Sequence, residues 1–163
     1  MRRLRPADWL VLWSALFGAA SLSIFWFQTD APPLPAGYVG YAPLDTHATG
    51  WSALGWAAVG LILATCALGL VLVVLIGMGA RDAVNLPPAV FLAAISPLTL
   101  LVAVIDTAAT AGGRTSVETG GWVGLASLAA LTLGAWLSIK DERMDQPSRQ
   151  VAPPPARPAP PAG

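Results

Sequence analysis

The chain has 163 residues, of which 55% are hydrophobic and only 11% charged, with a mean hydropathy of +0.64. Soluble domains carry about 25% charged residues, so an ordinary water-soluble globular protein is excluded. Nine basic and nine acidic side chains give zero net charge, which is uninformative where a bilayer divides the charges into two populations; no nucleic-acid partner is expected. The single cysteine, Cys66, precludes an intramolecular disulfide. It therefore excludes four-span thiol–disulfide enzymes, which need paired cysteines, and argues against animal junction proteins with a cysteine pair in the first outer loop.

No charged residue occurs between Asp8 and Asp30, Asp45 and Arg81, Asp82 and Asp106, or Glu118 and Lys140. An uncharged apolar stretch of about 18 residues or more is long enough to cross the roughly 30 Å hydrocarbon core as a helix. Four such gaps predict an all-α integral membrane antiparallel four-helix bundle over residues 1–143, with the lipid bilayer as its first partner.

The first predicted span is Trp9–Phe27. Arg2, Arg3 and Arg5 before it also suit a signal peptide. However, the run exceeds the usual length of about 7–15 apolar residues, and no small-x-small cleavage pattern follows Phe27. A retained anchor is expected. The second span lies within Trp51–Ala80, about residues 54–78, and thirty helical residues would exceed the bilayer unless tilted. Pro87-Pro88 opens the third span at little hydrogen-bond cost, and it runs to about Ile105 with a kink expected at Pro97. The fourth is about Gly120–Ile139. Between spans one and two, Gln28–Gly50 is rich in Pro and Gly and is long enough to cover the outer mouth of the bundle. Residues 144–163 form a Pro-rich stretch expected to be a disordered cytoplasmic tail. Pro155-Ala156-Arg157-Pro158 also fits a polyproline ligand, although a plain spacer explains it equally.

Orientation follows from the rule that cytoplasmic loops retain Lys and Arg. With both termini inside, eight basic residues lie inside and only Arg114 outside. Tryptophans prefer the headgroup level. Trp9 and Trp136 fall at inner ends and Trp26, Trp51, Trp56 and Trp122 at or near outer ends, with Trp13 one turn deeper. A bacterial inner (cytoplasmic) membrane is the expected location.

Small residues recur at Ala126, Ala130, Gly134 and Ser138, with Gly120 and Gly124 alongside, and at Ala15, Ala19 and Ser23 beside Ser14 and Gly18. Such faces let helix backbones approach closely. They are expected to join spans one and four inside the bundle, with self-association as the alternative.

Residues that bear chemistry are few. Asp106 closes the third span, and Arg114 and Glu118 follow on the hairpin. These three form the candidate polar site, either as a proton or ion site or, more simply, as an Asp106–Arg114 ion pair at the wet interface. His47 with Asp45 falls short of the three or four ligands of a zinc site and reads as a solvated loop. Cys66 and Thr65 read as core packing. No catalytic, cofactor or metal site is expected, and the protein is not expected to be an enzyme.

Several short elements coincide with a pattern: Phe25-Trp26-Phe27 at the end of the first span, Trp51-Ser52-Ala53-Leu54 opening the second, Gly121-Trp122-Val123-Gly124-Leu125 opening the fourth, and Lys140-Asp141-Glu142-Arg143 closing it. Over about residues 5–143 the chain thereby resembles the uncharacterised small four-span integral membrane proteins of high-GC actinobacteria. That group often has an acid after the Trp of the second-span element, where this chain has Ser52. The resemblance implies topology and source but no activity. The leading expectation is an accessory or scaffold role with a membrane-protein partner or homo-oligomer. The alternative is a small transporter, channel subunit or ion-sensing protein.

Overall fold

The structure is a computed structural model that describes residues 4–30, 46–78 and 86–145. It is mostly helical. Its elements are α1 (Pro6–Ser21), β1 (Phe25–Thr29), β2 (Thr46–Thr49), α2 (Gly50–Ala53), α3 (Trp56–Gly77), α4 (Leu86–Thr110), β3 (Thr115–Val117) and α5 (Thr119–Asp145). Among the described residues three helices are long and apolar enough to cross a membrane, over Trp56–Gly77, Pro88–Thr110 and Thr119–Lys140. The expected clean four-helix bundle is corrected, among the described residues, to five helices and a three-stranded sheet.

The first span differs most from expectation. α1 starts where Pro6 needs no hydrogen-bond donor and where the Asp8 carboxylate accepts the Arg5 N–H at 2.8 Å. It ends at Ser21, six residues before Phe27. Sixteen residues rise only about 24 Å. A helix end leaves four carbonyls without donors, and here each finds one. The Gly18 carbonyl accepts the Ser21 hydroxyl at 2.8 Å, and those of Ala19 and Ala20 accept the Leu22 and Ser23 amides at 3.3 and 3.0 Å. The Ser21 carbonyl accepts the Ile24 amide at 3.0 Å and the Trp26 indole N–H at 2.7 Å.

Beyond this stop, aromatic and β-branched residues favour a pleated strand. β1 is the centre of the sheet, antiparallel to β2 on one side and to β3 on the other. Phe27 pairs with Ala48 and Phe25 with Thr49, so Trp26 is an extra residue in the ladder. A bulge re-aims a side chain, and Trp26 and Phe27 are accordingly both buried although adjacent. Trp26, expected at or near the outer end of the first span, is therefore buried within the protein rather than exposed on its surface. The indole instead packs on the opening of α5. A Cβ added at Gly124 would lie 2.3 Å from the Trp26 ring, and one at Gly120 would lie 2.5 Å from the Phe25 carbonyl oxygen. These glycines permit the sheet to rest on the helix end.

The four long helices form a ring in which α1 packs on α3 and α5, and α4 packs on α3 and α5. The α1–α5 contact is the one expected from the small residues. Gly18 faces Ser127, and Gly134 faces Val11 closely enough that an added Cβ would lie 2.9 Å from its side chain. Within the expected stripe, however, Ala126 is exposed, and Leu128 and Leu131 fill the core instead. Ile62, Leu72, Leu92 and Ala103 complete the filling from α3 and α4.

α3 begins at Trp56, after the separate short turn of α2, so the second helix is shorter than the apolar run. α4 is continuous through Pro97. α5 continues to Asp145. Residues 31–45 of the outer loop and 146–163 of the tail lie outside the described residues, and so does the tail's Pro-Ala-Arg-Pro motif.

Candidate functional site

Two groups of polar side chains stand out, one at the sheet end of the bundle and one inside it. At the sheet end, Asp106 lies near the end of α4, opposite the start of α3. Its Oδ2 accepts the Gly55 backbone N–H at 2.8 Å. Gly55 is the N-cap of α3 and has no side chain to supply an acceptor, so α4 caps the helix from outside. The carboxylate also lies where the partial positive charge of the α3 dipole is felt.

Arg114 does not join it. Among the described residues Asp106 and Arg114 form no ion pair, which corrects the expected pairing. Arg114 is exposed in the turn after Gly113, whose φ of +61° suits glycine, and its carbonyl accepts the Asp30 amide at 3.0 Å.

Glu118 faces a different partner. His47 Nδ1 lies 3.2 Å from Glu118 Oε1, and the imidazole rests 5.0 Å from the Phe25 ring. His47 therefore belongs to β2 rather than to a solvated loop. The Glu118 amide donates to the Trp26 carbonyl at 2.8 Å, which links the sheet to the start of α5. Thr29 and Thr115 share a hydroxyl contact at 3.2 Å across β1 and β3. The three candidate residues are thus divided among three local roles. Among the described residues no three of His, Cys, Asp and Glu gather in a way that could hold a metal.

Inside the bundle, Thr65 on α3 and Thr99 on α4 are buried and joined by a 2.7 Å hydroxyl contact. Thr99 also donates to the Ile95 carbonyl at 3.0 Å. A hydroxyl has one proton, so Thr65 is the donor in the pair. Ser96 and Thr107, also buried on α4, have hydroxyls with no hydrogen-bond partner among the described residues. The Thr65–Thr99 contact was not expected from the sequence, where Thr65 reads as core packing. The signal was present: both residues lie close to the middle of their apolar runs.

The outside of the ring is apolar. Trp9 stacks on Trp13 at a centroid distance of 6.5 Å, and Phe17 follows at 6.0 Å, all three exposed along α1. Trp51, Trp56 and Trp122 are exposed near the sheet, and Trp136 towards the other end of α5. An open groove of about 380 Å³ between α3 and α4 is lined by Leu68, Pro88, Phe91 and Ile95. It offers no polar side chain to orient a ligand. No protein-family model, curated protein or solved structure matches the chain.

Proposed function

We propose that the protein is a multi-pass protein of a bacterial inner membrane that serves an accessory or scaffold role, binding a membrane-protein partner or a second copy. In this reading α1 is a short first span completed by the turn and sheet, both termini face the cytoplasm, and β1, β2 and β3 form an outer cap on the bundle. The source among high-GC actinobacteria is part of the same proposal. It stems from the sequence resemblance alone.

One observation carries the reading. Asp106, the most suspect carboxylate, already has a structural use as the cap of α3, through its 2.8 Å bond from the Gly55 amide. Glu118 is likewise engaged with His47. Enzymatic and ion-binding sites need converging groups free to act, whereas these two hold elements together. What remains for function is surface: the cap, the aromatic faces and the tail.

The alternative is a small transporter, channel subunit or ion-sensing protein. The observation favouring it is the Thr65–Thr99 pair with Ser96 nearby, because polar groups at mid-depth are costly in hydrocarbon. The test is co-purification from native membranes in mild detergent, with and without residues 147–163. A stoichiometric partner supports the accessory role, and its loss on truncation assigns the contact to the tail. Recovery of the protein alone as a monomer contradicts that role and favours transport.

A further inference from the structure

The two flanks of the helix ring differ in apolar length. α3 has 22 residues and α4 has 25, so each rises about 33 Å or more. That is enough for the roughly 30 Å hydrocarbon core of a bilayer. α1 stops after about 24 Å. Beyond its end come the exposed Ser23 and then the sheet, whose edge strands β2 and β3 carry the exposed Thr46, His47 and Ser116. Open sheet edges do not occur in hydrocarbon, and tilting α1 only shortens its vertical reach. On this flank the apolar layer therefore ends near Ser23.

The tryptophans give a similar length independently. Gly18 lies against Ser127 and Val11 against Gly134, so α1 and α5 run antiparallel. Continuing that register puts Trp136 level with Trp9, and Trp122 level with Ser23. Trp51 joins the outer level, where its indole donates to the Ser23 hydroxyl at 3.1 Å. The two levels are about 21 Å apart along α5. Trp13 belongs to the inner level, because helical side chains lean towards the N-terminus and its ring stacks back on Trp9 at 6.5 Å. Trp9, Trp122 and Trp136 are exposed, and among the described residues their indole N–H groups have no protein acceptor. Indoles prefer the headgroup level, where lipid and water supply acceptors.

We propose that the α1–α5 flank is a lipid-binding surface fitted to an apolar layer of about 21–24 Å. The bilayer thins by about 6–9 Å against this flank and keeps its full thickness against α3 and α4. A short apolar length is met by local thinning or by association. Lipid is the occupant here because the unpaired indoles stand in two levels, one at each end of the flank. This proposal rests on the membrane location proposed above.

Spin labelling of the full-length protein in dioleoylphosphatidylcholine–dioleoylphosphatidylglycerol vesicles tests it, with Cys66→Ala removing the native thiol. Gly18 also lies against Cys66, and the adjoining Thr65 meets Thr99. By that count Ala20 on α1 is about level with Leu101 on α4, and Leu133 on α5 with Ala94 on α4, all four exposed. Single cysteines are introduced as Ala20→Cys, Leu101→Cys, Leu133→Cys and Ala94→Cys. Accessibility to oxygen against a nickel chelate reads the depth of each label. Positions 20 and 133 are each expected to lie shallower than their α4 counterparts by about 3–5 Å, half of the thinning. A tilted molecule shifts the two pairs in opposite senses, which overturns the proposal. Equal depths in both pairs also overturn it, while leaving the membrane location standing. Aqueous accessibility at all four positions contradicts the membrane location and this surface with it. Labels at 20 and 133 that are shielded from both reagents and coupled between molecules replace lipid with a second copy. The unsubstituted protein gives a second reading, because Trp9, Trp13, Trp122 and Trp136 all stand on this flank. Competitive quenching of tryptophan fluorescence by brominated lipid is expected to show tighter binding of dimyristoleoyl- than of dioleoylphosphatidylcholine, and equal or reversed selection overturns the fit.

Discussion

Removing the Asp106 carboxylate tests whether this residue is a cap or an ion site. Its Oδ2 accepts the Gly55 N–H at 2.8 Å, and Gly55 has no cap of its own. A hydrogen bond to a charged group contributes about 1.5–3 kcal/mol when buried, and less where water competes. The bond is solvent-accessible, so the lower part of that range applies, with a helix-dipole contribution of about 0.3–1 kcal/mol included. Asp106→Ala is therefore expected to cost about 1–2 kcal/mol. Asp106→Asn keeps an acceptor and loses only the charge, and should cost about 0.5 kcal/mol. The assay is reversible unfolding in mixed micelles followed by tryptophan fluorescence.

Gly55 supplies an internal control. Its φ of −59° and ψ of 143° suit proline, and Leu54 before it is extended, as a pre-proline residue must be. Gly55→Pro removes the donor, so it should be harmful in the wild-type chain but close to neutral beside Asp106→Ala. Equal costs in both backgrounds refute the cap. So does an Asp106→Asn variant of unchanged stability that has lost its biological activity, which would restore the ion-site reading.

Other substitutions probe the remaining contacts. Gly124→Ala places a Cβ 2.3 Å from the Trp26 ring and should destabilise by about 1–3 kcal/mol through overpacking, with Trp26 fluorescence shifted to the red; an unshifted, fully stable variant contradicts the buried indole. Thr65→Val should cost about 0.6 kcal/mol, and at most about 1.7, with most of that effect absent when Thr99 is already Val. A double-mutant cycle in micelles reads the coupling, and strict additivity contradicts the 2.7 Å contact. His47→Ala loses a partly exposed pair with Glu118 and should change stability by less than about 1 kcal/mol, with lower hydrogen-exchange protection confined to the sheet.

The long apolar runs made α3, α4 and α5 readable because span length and the absence of charge depend only on local composition. The end of α1 did not follow from composition. Phe25-Trp26-Phe27 is apolar enough for a membrane, and nothing local separates an aromatic facing lipid from one buried under a strand. Its pairing partners, Ala48 and Val117, are distant in sequence. Gly120 and Gly124 were visible as small residues, yet they accommodate β1 and the Trp26 ring rather than another helix alone. The partner of Asp106 was hidden for a different reason. A backbone amide leaves no mark in residue type, so the sequence pointed to Arg114, the nearest cation. His47 and Glu118 became neighbours only once the sheet brought β2 beside β1 and the α5 start.

The orientation of the cap carries the whole account, and single-cysteine labelling in intact cells tests it most directly. Cys66→Ala removes the only native thiol, which is buried. Cysteine is then introduced separately as Ser116→Cys, in β3, and as Gln150→Cys, beyond the end of α5. A membrane-impermeant maleimide is expected to label position 116 in intact cells and position 150 only after the membrane is opened. Labelling of position 150 in intact cells with protection of 116 would invert the topology, and labelling of both would remove the even number of crossings on which the four-span reading depends.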